Sequence, residues 1–239
     1  MSLRQLSFSA PSPHLRLADG DVDLWRIDLE VEADASVLDA AERERAMRFR
    51  HARDRLRYIA AHVSMRTILA RYLAIAPERL RFAADGVGGK LKLATARAPA
   101  FNLAHSGDLA LLGVAAVAFL GIDIEALRPM ADLRELARTH FTRHEYRQVM
   151  QEGAVVPESF FTVWTRKEAV VKATGTGLVG DLRGIEVGAA HGPLCVHLGD
   201  EVVEVESFAV APGFAAALAL PWSRTLGARR YFDSGLRVG

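Results

Sequence analysis

Two short stretches hold side chains that could do chemistry together. Gly121 to Glu125 reads GIDIE, and Trp164 to Leu178 reads WTRKEAVVKATGTGL. In a strand, the spacing of Asp123 and Glu125 puts both carboxylates on one face, about 7 Å apart along the chain. Like charges so placed repel unless a cation or water lies between them. The run Leu120, Gly121, Ile122 and Ile124 argues for a buried strand, where unpaired acids are costly. Hard oxygen donors suit Mg²⁺, which keeps waters and shares itself with a substrate phosphate. On a helix, Trp164, Glu168 and Lys172 stand at i, i+4 and i+8 and share one face. Glu168 then suits a metal ligand or general base, and Lys172 a phosphate clamp. The same pair also fits a solvent-facing Glu–Lys pair beside a core tryptophan.

The chain holds 30 basic residues, yet its only lysines are Lys90, Lys92, Lys167 and Lys172. An ammonium is a compact charge that can approach a phosphate oxygen where a planar guanidinium does not fit. NLAHSG places His105 and Ser106 after an apolar strand. Adjacent strand residues point to opposite faces, so a Ser–His hydrolase pair is disfavoured and His105 reads as a phosphate donor. No P-loop, no G-x-G-x-x-G after a strand, no H-E-x-x-H and no C-x-x-C is present. Walker-type nucleotide hydrolysis, Rossmann redox chemistry and zinc chemistry lose support accordingly.

These groups need a scaffold, and the chain offers a mixed one. Val22–Val31 reads as a strand, with helices over 37–49 and 54–73, the latter ended by Pro77. ADGVGGKLKL is a Gly-rich turn entering a strand, and AFNLAHSG a strand entering a loop. The apolar run 109–122 is too short to span a bilayer and reads as a buried hairpin. Helices follow at 132–140, from Thr142, and through ESFFTVWTRKEAVVKATG, with Gly175 and Gly177 at its end. EVVEVESFAV and GFAAALAL read as two strands. LWRIDLE resembles FLGIDIE, and each is followed by a short and then a long helix. This soft repeat predicts two similar α+β halves, 1–117 and 118–239. Seven arginines against Glu44 and Asp54 between Arg43 and Arg57 form a basic face for a phosphate-rich or acidic partner rather than nucleic acid. The single cysteine, Cys195, and the absence of an apolar leader fit a cytoplasmic chain.

A Gly-Lys turn, F-N-x-x-H-S-G, G-I-D-I-E, F-x-x-x-E-Y and W-x-x-K-E-A-x-x-K-x-x-G-x-G-L, in that order, resemble the 4′-phosphopantetheinyl transferases of the Sfp type. The resemblance covers about Arg43 to Leu178 and implies an α+β pseudo-dimer. It implies coenzyme A as co-substrate, an apo acyl or peptidyl carrier protein as partner, and Mg²⁺, or Mn²⁺ in its place. A carrier serine would take the phosphopantetheine arm, and 3′,5′-adenosine bisphosphate would leave. Carried over by motif, Asp123, Glu125 and Glu168 look like metal ligands, with Glu168 or Glu145 near the serine proton. Arg45, Lys90, His105 and Lys172 resemble coenzyme phosphate contacts. The chain departs from the pattern at Leu91, Ala104 and Glu42, the last standing at a basic position. Two other readings use the same residues: a Mg²⁺-dependent pyrophosphate hydrolase, and a non-catalytic carrier-binding scaffold.

Overall fold

The computed structural model describes residues 4–12, 15–85, 90–95, 98–175, 182–190, 192–223 and 227–235. The first half contributes β1 (Arg4–Gln5), β2 (Val22–Asp28), α1 (Ala40–Met47), α2 (Ala52–Leu73), β3 (Phe82–Asp85), β4 (Lys90–Leu93), β5 (Ala100–Ser106) and β6 (Leu109–Ala115). The second contributes β7 (Gly121–Ala126), α3 (Leu133–His140), α4 (Arg143–Val149), β8 (Met150–Gln151), β9 (Ala154–Val155) and α5 (Pro157–Thr174). It ends with β10 (Leu194–Leu198), β11 (Glu201–Ala209), β12 (Phe214–Pro221) and β13 (Arg229–Asp233). Among the described residues, no helix is long and apolar enough to cross a membrane.

Two main sheets follow the internal repeat. One runs β13-β2-β6-β5 and the other β1-β11-β12-β7, with β10 on β11. The order β2-β6-β5 in the first matches β7-β12-β11 in the second. Alternation along the strands sorts the side chains into layers. Val22, Leu24, Leu111, Ile122, Ile124, Phe208 and Leu218 form the core between the sheets. Trp25, Ile27 and Leu112 turn the other way, onto α2 residues such as Met65 and Leu69. Ala215, Ala217 and Ala219 pack with Phe160, Val163 and Val170 of α5. Both faces of each sheet are therefore covered, which explains the apolar runs that a half-solvated strand would not need.

The expected apolar hairpin over 109–122 does not form. β6 lies between β2 and β5, whereas β7 pairs with β12 in the other sheet. Residues 116–120 carry the chain from one sheet to the next. Leu120 fills the space beside Gly113, where an added Cβ would lie 2.5 Å from its Cδ1. The chain also departs from a clean division at 117. β1 pairs with β11 and β13 with β2, both parallel, so each sheet takes a strand from the opposite end of the sequence. Gly177 and the tip of the Gly-rich turn, 86–89, lie outside the described residues.

Parity on β7 decides what the site becomes. Ile122 and Ile124 enter the intersheet core, so Gly121, Asp123 and Glu125 face α5. A Cβ at Gly121 would lie 1.9 Å from Ala169 O and 2.3 Å from Ala173 N of α5. Only glycine lets strand and helix backbones approach this closely. Gly121→Ala should therefore lower stability by about 3 kcal/mol, the upper range for overpacking a tight core. Urea denaturation checks this, and a wild-type midpoint would contradict the close-approach reading.

Candidate active site

Helix α5 carries Glu168 and Lys172 over the carboxylates of β7. Its first turn uses Pro157, and Gly175 closes it in the left-handed region at φ 70°. Lys172 Nζ lies 2.6 Å from Asp123 Oδ1. Asp123 is buried, and that burial raises its pKa to about 7; Glu125 and Glu168 add to the rise, while Lys172 opposes it. Burial likewise raises the Glu168 carboxyl, with Glu125 adding and Lys172 and His140 opposing. The three acids of the two motifs thus sense one another's charge, as the sequence reading expects.

A strand of the other sheet orders these acids. Ser106 Oγ on β5 donates to Glu125 Oε2 at 2.7 Å and accepts the Ala126 N–H at 3.0 Å. Asn102 Oδ1, four residues earlier, accepts the Ile122 N–H at 2.8 Å. The two side chains take the place of ladder carbonyls and join the edges of the two sheets. Sequence reading missed Ser106 in this role. Its same-face spacing with Asn102 in FNLAHS was the available signal.

A cluster of cations stands beside the acids. His105, at the end of β5, is exposed, yet neighbouring atoms strip part of its hydration. That desolvation and the charges of His62, Lys172, Arg45 and Arg57 push its pKa below the ordinary histidine value. Arg45 lies over the Tyr58 ring at 5.9 Å, and Tyr58 stacks on His62 at 4.1 Å. Glu42 belongs to the capping box of α1 and holds His62 Nδ1 at 3.0 Å and Arg66 Nε at 2.7 Å. Glu42 is thus part of the scaffold behind the cations. His62 and Arg57 are additions that motif matching did not supply.

The structure does not bring Glu145 to the acids. Thr142-x-x-Glu145 is the capping box of α4, and Glu145 is fully buried. Its oxygens accept the Thr142 and Val187 N–H groups at 2.9 and 2.8 Å and pair with Lys167 Nζ at 2.7 Å. A carboxylate so fully engaged inside the fold supports structure rather than proton transfer. Lys90 has partners within the fold. Its ammonium donates to Leu120 O at 2.7 Å, Lys172 O at 2.6 Å and Ala173 O at 3.3 Å.

The donor set fits a hard divalent cation. Among the described residues, the buried side-chain oxygens without a hydrogen-bond partner are Asp123 Oδ2 and Glu168 Oε1. Both belong to the acids that the motifs single out, and an orphaned buried oxygen calls for a cation or donor. In this conformation no three described His, Cys, Asp or Glu side chains close tightly enough to hold an ion, and the Lys172 ammonium rests on Asp123. The pseudo-equivalent acids of the first half differ. Asp28 Oδ1 accepts the Glu30 N–H at 2.9 Å, and Glu30 takes Arg53 and Arg57.

Comparison with known proteins decides the family. Residues 119–218 match the model of the 4′-phosphopantetheinyl transferase superfamily, and residues 25–117 match that of the N-terminal region of a 4′-phosphopantetheinyl transferase. The 4′-phosphopantetheinyl transferase HetI of Nostoc sp. is 38% identical over 177 residues, covering 70% of this chain and 73% of HetI. The chain belongs to the 4′-phosphopantetheinyl transferase superfamily. The transferase Sfp of Bacillus subtilis is 26% identical over 193 residues, 79% of this chain and 84% of Sfp. The transferase psf-1 of Bacillus pumilus is 36% identical over 140 residues, 57% of this chain and 58% of psf-1. The α+β fold with two halves agrees with this membership, and the two matched stretches meet at the link between β6 and β7.

Folded Asp123 holds its proton to about pH 7, against 3.8 for an ordinary aspartate. Its contribution to stability is full below the lower value and is lost as pH rises through the higher one. Mg²⁺ binding at about pH 6.5 should therefore release protons, and at about pH 8.5 release from this group should cease. Calorimetry in buffers of different ionisation heat reads this directly; equal heats in all buffers at the lower pH would contradict it. Asp28→Asn with Glu30→Gln should leave turnover within about tenfold, as expected for charges outside the reacting centre. Asp123→Asn with Glu125→Gln should abolish it. Comparable losses in folded protein would refute a single site.

Proposed function

We propose that this transferase moves the 4′-phosphopantetheine arm of coenzyme A onto a serine of an apo acyl or peptidyl carrier protein. The observation that carries this reading is the meeting of Asp123, Glu125, Glu168 and Lys172 with the cations around His105. Arg45, Arg57, His62 and His105, all from the first half, suit the phosphates of coenzyme A. The second half supplies the acids and Lys172. The division of labour is thus coenzyme binding in 1–117 and catalysis in 118–239.

Asp123, Glu125 and Glu168 would hold Mg²⁺, which when bound neutralises charge on pyrophosphate oxygens. Lys172 is a compact point charge beside Asp123 and would suit a phosphate oxygen of the coenzyme. The serine Oγ–phosphorus bond forms as the bond to the leaving 3′,5′-adenosine bisphosphate breaks, and the serine proton passes to a base. Glu168, on α5 beside Asp123, is the carboxylate to which we assign that proton. Positioning and charge stabilisation supply the remainder, as in phosphoryl transfer generally.

The partner surface follows from charge. Beyond the acids, α3, α4 and residues 182–184 frame a groove of about 990 Å³ lined by Arg138, Arg143, Arg147, Arg183 and Tyr146. His140, next to the lining residue Phe141 in sequence, meets the Trp164 ring at 5.6 Å, and its charge acts on Glu168. Such a groove favours an acidic carrier face. The cytoplasm is the matching compartment, given coenzyme A as co-substrate and a lone exposed cysteine.

Incubation with apo carrier, coenzyme A and Mg²⁺ should add one phosphopantetheine mass to the carrier. Release of adenosine bisphosphate from coenzyme A alone would favour hydrolysis instead, and no product in either case would favour a scaffold. Asp123→Ala should lower turnover by at least about a hundredfold, the scale of losing a charge-stabilising element. Arg138→Glu with Arg143→Glu should raise KM for the carrier about tenfold and leave that for coenzyme A unchanged, as charge reversal at an interface does. An unchanged carrier KM would remove the groove from the reading.

A further inference from the structure

We propose that Lys90 is a positioning residue that fixes the distance between the acids of β7 and the helix face of α5. Its consequence for turnover rests on the transferase reading above; its structural part does not. Lys90 belongs to β4 in the first half, yet three of its acceptors lie in the β7–α5 region. Leu120 O immediately precedes Gly121, and Lys172 O and Ala173 O belong to the last turn of α5.

The chemistry of that last turn explains the choice of residue. The final four carbonyls of a helix have no partner within it. Val171 O is taken by the N–H of Gly175, and among the described residues the next two carbonyls are met by the Lys90 ammonium. An ammonium satisfies both and favours the negative end of the helix dipole. Its compact head also reaches Leu120 O, where three acceptors converge from two elements. A planar guanidinium cannot direct its donors into so small a solid angle. This accounts for a lysine at this site in a chain that otherwise prefers arginine.

The geometry gives the clasp its effect. A Cβ at Gly121 would lie 1.9 Å from Ala169 O and 2.3 Å from Ala173 N, so β7 and α5 meet backbone to backbone at these residues. Lys90 bonds the carbonyls on both sides of that contact. Asp123 lies two residues beyond Gly121, and Lys172 carries one of the bonded carbonyls on its own backbone. Loosening the clasp would let the end of α5 slide on β7, and Lys172 and Glu168 would shift against Asp123.

Lys90→Met should lower kcat by about 10- to 100-fold, the scale of displacing reacting groups by about 1 Å. KM for coenzyme A should stay within about twofold, and the loss should be equal with 3′-dephospho-coenzyme A, since the lysine is not assigned to the coenzyme. Lys90→Arg should not restore the rate. Lys90→Cys in a Cys195→Ser background should recover it after alkylation with bromoethylamine, which rebuilds an ammonium of lysine length. Amide exchange in the last turn of α5 and over 120–123 should quicken in Lys90→Met. If that variant does not fold, Lys90→Gln carries the same readouts. A loss confined to KM and abolished with the dephospho form, at unchanged exchange, would make Lys90 a coenzyme contact and overturn the proposal. Should the wild type transfer nothing, the transferase reading fails, while the exchange comparison still tests the clasp.

Discussion

The site depends on one steric condition: strand β7 and helix α5 touch backbone to backbone. Gly121 permits that contact, because any Cβ there would collide with Ala169 O. The approach brings side chains from two distant motifs into one electrostatic neighbourhood. Without it, Asp123 and Glu125 would face a helix held off by a side chain, and Lys172 would not reach the Asp123 carboxylate. The G and the two acids of GIDIE are thus one device: the glycine sets the gap into which the carboxylates project.

Charge then works against the fold that close packing creates. Asp123 is buried among like-charged neighbours, and its proton affinity rises in consequence. Lys172 relieves this in part. Among the described residues, two buried carboxylate oxygens have no hydrogen-bond partner. A protein optimised only for stability would not retain such an arrangement, since replacing a buried charge cluster by apolar groups of similar size is often neutral or better. Under the proposed function, the local deficit in stability is the counterpart of readiness for a polyanionic ligand and its cation.

Much of this was legible in the residues themselves. Period-two alternation puts Asp123 and Glu125 on one face, and period 3.6 puts Glu168 and Lys172 on another; both rules hold because strand and helix are regular there. The LWRIDLE and FLGIDIE likeness foretold matching sheets. Legibility failed where a side chain's partner lies far away in sequence. Glu145 matched a functional motif, but Thr142-x-x-Glu145 is also a helix-start signature, and burial beside Lys167 made it structural. The acceptors of Lys90, some thirty and eighty residues away, could not be read from its motif. The apolar run 109–122 could not reveal that its strands enter different sheets, because buried strands of either arrangement have the same composition.

The exchange of terminal strands reaches beyond architecture. β1 completes the second sheet and β13 the first, and the two ends also meet each other, with Ser9 bridged to Phe232. Arg26 joins Asp233, Arg230 joins Asp23, and Arg229 reaches back to Glu204 and Glu206. The boundary visible in the repeat is therefore not a boundary of cooperativity. A fragment ending at 117 would carry a strand that belongs to its neighbour and lack one of its own. Two units of like shape share their edge strands, so that melting or proteolysis should act on the pair as one object.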